Sequence, residues 1–134
     1  VSDASKSAKA ALSALAVAAT VDSPTRPTHA DKLLPERALA GDPLAKQAML
    51  DKYYTPLADS QSDLLSTLRA YLDCGRSLEA TSKQLFVHAN TVRYRLKRIQ
   101  EIIIDNPTDP RAAFMLQIAL ALGAINDSES GVRR

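Results

Sequence analysis

Hydrophobic residues along this chain return at intervals of three and four, the period of a helix with one buried side. Ala4, Ala8, Ala11, Leu12, Leu15, Ala18 and Ala19 set the rhythm in residues 2–20, which read as one Ala-rich amphipathic helix. Leu64, Leu65, Leu68, Tyr71 and Leu72 repeat it. Val92, Leu96, Ile99 and Ile103 repeat it again, and at roughly 100° per residue they fall within about 60° of one another on the helix surface. Residues 112–122 differ, because Gln117 is their one polar member. A helix there has no polar stripe, so part of it is expected to be covered by another chain or by the helix at 2–20. No convincing strand pattern and no internal repeat is present. The fold class is all-α.

Proline, glycine and capping residues divide the pattern into elements. Asp22 to His29 is polar and holds two prolines, which makes it a connector. Pro35 suits the first turn of a short helix, and Gly41 suits its left-handed end. Asp42-Pro43 offers a cap and a first-turn proline, opening a helix to about Tyr54 that Pro56 stops. Ser62-Asp63 starts a further helix, which Gly75 ends. Ser77 caps a short helix over about 78–85, and Asn90 caps the next over about 91–103. Asp109-Pro110 opens a last helix to about Ile125. Three segments follow: residues 1–30 as a helix and linker, 31–125 as the working domain, and 126–134 as a disordered tail.

Composition narrows the function classes. The 134 residues are 46% hydrophobic but only 4% aromatic, without tryptophan, so the core must be Leu, Ile, Val and Ala, which suits packed helices. A single cysteine, Cys74, excludes an internal disulfide framework and fits a reducing cytoplasm. No segment approaches the roughly 20 apolar residues of a membrane span, so no membrane partner is expected. The chain begins at Val1, which fits a piece of a longer protein. Gly-rich phosphate loops, metal-ligand spacing and paired carboxylates are all missing, so neither an enzyme nor a cofactor or metal site is expected. Net charge is only +2, and residues 1–60 balance seven bases with seven acids. Residues 76–98 instead carry six bases against Glu79 alone, a local basic patch.

That patch coincides with the most informative segment, Leu78 to Ile99. A short helix, a tight turn and a second helix follow one another within 22 residues, the dimension of a helix-turn-helix. Opposite the stripe of the second helix lie Arg93, Lys97, Tyr94 and Arg98, spread over roughly 100–240° of its circumference. Such a helix packs one side on a domain and presents the other to the major groove. Arg93 and Arg98 suit bidentate contacts to guanine or phosphate, and Lys97 supplies a point charge. Thr91 and Tyr94 can donate to phosphate or touch a thymine methyl. Asn90 is a structural cap first. His88 is either a turn residue bonding to backbone or a base reader. Arg95 lies beside the stripe, where an ion pair to an acid and a phosphate contact are both open. Leu85 and Val87 anchor the turn.

Phe86-Val-His88-Ala-Asn90-Thr-Val92-Arg-Tyr94-Arg-Leu96 resembles the F-V-H-x-N-T-V-R-Y-R-L signature of the PucR/CdaR family of bacterial transcription regulators. Leu34 to Asp42, Leu65 to Leu72 and Asp109-Pro110 also look like blocks of that family, so the resemblance covers roughly residues 31–125. It implies a Fis-like helix-turn-helix that binds double-stranded DNA in a sequence-specific manner. The implied DNA-binding residues are His88, Asn90, Thr91, Arg93, Tyr94, Arg95, Lys97 and Arg98. The resemblance further implies a preceding sensing domain that binds an effector, of which residues 1–30 are a remnant. For the apolar helix near residues 110–125, a symmetric homodimer is the simplest cover by another chain, and it would let two recognition helices read half-sites. Ile102-Ile103-Ile104-Asp105 departs from the family's more polar, Gly-containing helix end. The competing reading is a dimerisation or protein-interaction module that sets the basic face on an acidic partner.

Overall fold

The computed structural model describes residues 33–60 and 63–131. The expected helix at 2–20, the connector at 22–29 and residues 132–134 lie outside them. The described residues contain helices and turns and no strand. The chain divides into two compact units, Val1–Met49 and Leu50–Arg134.

In the first unit, α1 (Leu34–Leu39) and α2 (Pro43–Met49) pack on each other around a tight turn. Gly41 takes φ +95° there, a conformation L side chains rarely adopt. Asp42 organises the turn with both carboxylate oxygens. Its Oδ1 accepts from Leu44 N at 2.9 Å and caps α2, as the Asp-Pro signal predicts. Its Oδ2 accepts from Arg37 Nε at 3.0 Å and Nη2 at 2.9 Å. Arg37 is only 3% exposed, so its charge is neutralised inside the unit. Composition and periodicity do not reveal this pair.

The second unit opens with a π-helical turn, Leu50–Tyr54, and α3 (Thr55–Ala58). The sequence predicts an ordinary helix to about Tyr54 that Pro56 stops. Instead α-geometry ends at Met49, and Pro56 sits in the first turn of α3, where no backbone donor is needed. In a regular helix running through this point the proline ring would strike a carbonyl four residues back, and the π turn stands where that helix would have been. Helices α4 (Leu64–Asp73), α5 (Leu78–Leu85) and α6 (Ala89–Ile103) then pack pairwise on one another. The last helix, α7 (Pro110–Ser130), lies against α4 and the π turn, with Asp109 capping it through Ala112 N at 3.1 Å.

Leu57, Leu64, Leu68, Tyr71, Leu72, Val92, Leu96, Ile99, Ile103 and Leu116 are all buried in this unit. The helical stripes expected of α4 and α6 are therefore its core. One expectation fails at the C-terminal end. Residues 126–130 belong to α7 rather than to a disordered tail. Asp127 is buried and accepts from Tyr54 Oη at 2.5 Å, while Arg69 Nη2 approaches that same phenol oxygen at 3.5 Å. The side chain that looks like polar tail in sequence has a buried partner 73 positions away, and that partner extends the helix.

Candidate nucleic-acid interface

The interface is built by α5, the turn after it and α6. Ser77 caps α5 as expected, its Oγ accepting from Ala80 N at 3.2 Å. The Ser77 carbonyl accepts from Thr81 Oγ1 at 2.6 Å, which satisfies a fully buried hydroxyl. On the exposed side, Lys83 bonds Glu79 at 3.0 Å and holds that carboxyl below its ordinary range. This pair reduces the basic charge that α5 contributes. Leu85 and Val87 are half-buried and anchor the turn.

The start of α6 corrects the sequence reading. The helix begins at Ala89, and its cap is His88 rather than Asn90. His88 has an extended backbone, and its Nδ1 accepts from Asn90 N at 3.0 Å. An accepting Nδ1 places the proton of a neutral imidazole on Nε2, in a side chain that is exposed. Asn90 is thereby released from capping. It lies in the first turn, exposed, with Oδ1 accepting from Arg93 Nη1 at 2.8 Å. Asn and Asp are favoured caps, but an imidazole nitrogen two residues earlier supplies the same kind of acceptor, and propensity alone does not separate the two.

Along α6 the two faces part as the periodicity requires. Val92, Leu96, Ile99 and Ile103 are buried, whereas Arg93, Tyr94, Lys97 and Arg98 are exposed. Thr91 is half-buried at the edge of the outward face. Tyr94 is 65% exposed, too open to be core. Among the described residues, Lys97 makes no ion pair. Arg98 bonds Glu101 at 2.6 Å, so the far end of the outward face is close to neutral. Glu101 lies just beyond the basic cluster counted from sequence, and its effect is to concentrate positive charge on the first turns. Arg95 turns the other way: Nη1 donates to Thr67 Oγ1 at 3.1 Å, and Nη2 lies 3.5 Å from Asp63 Oδ2. Of the two readings open for Arg95, the structure gives the ion pair, which ties α6 to the start of α4.

The helix ends where the pattern predicts, at Ile103, but without a glycine. Ile104 takes the left-handed conformation at φ 69°, and its N–H donates to Gln100 O at 2.8 Å. The loop that follows is fixed by Asn106 Oδ1, which accepts from Thr108 N and Oγ1, and by Arg76 Nη1, which donates to Thr108 O at 3.0 Å. No group of three or more metal-ligating side chains occurs among the described residues, and no described helix is long and apolar enough to cross a membrane.

Comparisons with known proteins agree with this geometry. Residues 64–122 match the model of the PucR C-terminal helix-turn-helix domain. An uncharacterised protein of Mycobacterium tuberculosis is 47% identical over 121 residues, covering 90% of this chain and 29% of that protein. The purine catabolism regulatory protein of Bacillus subtilis is 36% identical over 80 residues, 54% of this chain and 15% of its own. The crystal structure of a regulator of polyketide synthase expression from Bifidobacterium adolescentis superposes with a TM-score of 0.81 at 42% identity, covering 88% of this chain and 50% of that one. The chain thus spans under a third of the length of these curated relatives. Fold and site define a DNA-binding helix-turn-helix domain of a transcription regulator. Within that class, residues 64–122 are most like the PucR C-terminal helix-turn-helix domain whose model they match.

Proposed function

We propose that α6 enters the major groove of duplex DNA and reads sequence there, with its first turns against the bases. The observation that carries this is the outward face of α6: Asn90, Arg93, Tyr94 and Lys97 stand exposed above a fully buried stripe that fixes the helix on its domain. Arg93 and Asn90 suit base edges, since guanine takes a bidentate guanidinium and adenine a bidentate amide. Their mutual bond holds both side chains at the N-terminal end before DNA arrives. Lys97 and Arg98 contact phosphate, the latter on leaving Glu101. Thr91 and Tyr94 donate to phosphate at the edge, and His88 offers Nε2–H to a phosphate or base. Arg95 acts through α4, as a positioning residue.

The functional unit proposed is residues 31–125 working as a homodimer, so that two copies of α6 meet half-sites about one duplex turn apart. The much longer relatives support a regulator whose effector is bound by a preceding domain. Its place of action is the cytoplasm, with the chromosome.

The test is titration of the chain onto a duplex selected from a random pool, at several salt concentrations. Phosphate neutralisation gives a slope of about −0.9 per contact in log K against log salt. Arg93→Ala is expected to lose about 1–3 kcal/mol on the selected site and little on random DNA. Lys97→Ala is expected to weaken both alike and to flatten the slope by about 1. A folded Arg93/Lys97 double variant that binds like the wild type would reject this assignment of α6.

A further inference from the structure

Two helices of the second unit end in the same hydrogen-bonded turn, but with different residues at its left-handed position. After α4, Arg76 N donates to Tyr71 O at 2.8 Å and Gly75 N to Leu72 O at 3.2 Å. After α5, Val87 N donates to Ser82 O at 3.1 Å and Phe86 N to Lys83 O at 3.3 Å. The residue that donates the shorter-range bond of the pair takes positive φ, ordinarily a glycine because a Cβ is disfavoured there; after α4 the next residue, Arg76, is left-handed as well, at φ 65°. Gly75 fills the place at φ 63°, as expected. Phe86 fills it at φ 56°. The turn of a helix-turn-helix often contains glycine, and a bulky aromatic in its place is a backbone outlier.

Packing does not explain the exception. The Phe86 side chain is 95% exposed. Its neighbour Val87, at the position where such a turn ordinarily makes its apolar contact, is half-buried. Leu78, Leu85, Val92, Leu96 and Ile99 of the same motif are all at least partly covered. Only Phe86 and Tyr94 stand out as open aromatic rings in it, and Tyr94 already belongs to the outward face of α6. Phe86 precedes Ala89 by three residues, so its Cα lies within about 10 Å of the end of α6 that enters the groove. Strain held without a folding benefit points to function.

We propose that Phe86 is a DNA-contact residue, its ring meeting an apolar edge of the duplex beside the bases that α6 reads. That edge is a thymine C5-methyl or the face of a deoxyribose. The proposal rests on the DNA-binding reading of α6. Phe86→Asn and Phe86→Gly relieve the backbone while removing the ring, so they separate the two roles of the residue. Both are expected to melt at the wild-type temperature or above it, and to bind the selected duplex about tenfold or more weakly. Phe86→Tyr, which keeps the ring, is expected to stay within about threefold. Uracil in place of thymine in the duplex distinguishes the two edges: wild-type binding falls if the methyl is the contact and is unchanged if the sugar is. Binding of Phe86→Asn within about twofold of wild type would overturn the proposal and leave the reading of α6 intact. Lowered melting of both variants would also overturn it, by making the ring structural. If the wild-type chain shows no salt-dependent binding to any duplex, the DNA reading fails, and this contact fails with it.

Discussion

His88 shows how one side chain can be given two jobs by its two nitrogens. Nδ1 accepts from Asn90 N and closes the start of α6, which leaves Nε2 to carry the proton of a neutral ring. The sequence leaves a turn residue bonding to backbone and a base reader as alternatives for this residue; the structure gives the backbone bond, in the form of a helix cap, without removing the second role. His88→Ala should destabilise the chain by about 0.5–2 kcal/mol, the usual cost of losing a cap. His88→Asn should restore that stability, because an amide oxygen caps as well. DNA affinity separates the jobs: if Nε2 contacts the duplex, the stable His88→Asn variant binds more weakly than wild type, and if His88 only caps, the two bind alike. Denaturant melts and titrations of the same preparations settle it. The mistaken cap at Asn90 has a plain cause. Cap statistics favour Asn, but which acceptor reaches the orphan N–H depends on where the turn lets the first helical residue begin, and here it begins at Ala89.

At the level of elements, the parts that periodicity governs were readable and the parts that long-range partners govern were not. The α6 stripe is the clearest case. Four apolar residues at helical spacing must face a core, and all four do. Leu96 lies mid-stripe and is buried against its neighbours, so Leu96→Ala should cost about 2–5 kcal/mol in denaturant melts. A loss under about 1 kcal/mol would mean that the helix is held by something other than this face. The bounds of α5 and the caps Ser77 and Asp109 were equally legible, since each follows from a local donor and acceptor. The π turn was not, because nothing local marks Leu50–Tyr54 as widened. For Arg95 an ion pair was open as one of two readings, but its partner Asp63 was not legible, because the pair needs α4 alongside α6 to exist at all.

The second unit as a whole turns on how α7 is covered. Its residues 112–122 are apolar apart from Gln117, and the structure buries Ala112, Ala113, Met115, Leu116, Ala119, Leu120 and Gly123. At Gly123 the fit is close enough that a Cβ would overlap the Tyr54 ring, the same ring whose hydroxyl holds Asp127. Gly123→Ala should therefore destabilise by about 1–3 kcal/mol as an overpacked core does, although alanine is the better helix former. Thermal melts check the sign. The other side of α7 is not closed: Phe114, Ile118 and Leu122 are only half-buried, Ala121 is exposed, and Ile125 is 56% exposed. These residues recur every three or four positions and so form an apolar stripe of their own. Two copies of the domain bringing these stripes together would cover it and would set two α6 helices at a fixed spacing, the geometry a two-fold operator demands. Sedimentation at micromolar concentration should then show a dimer, and Ile125→Glu combined with Leu122→Glu should give a folded monomer. On a two-half-site duplex that monomer should bind without cooperativity, while its affinity for a single half-site stays at the wild-type level, because α6 is untouched. A wild-type chain that sediments as a monomer at every concentration, with non-cooperative binding to the two-half-site duplex, would rule the dimer out.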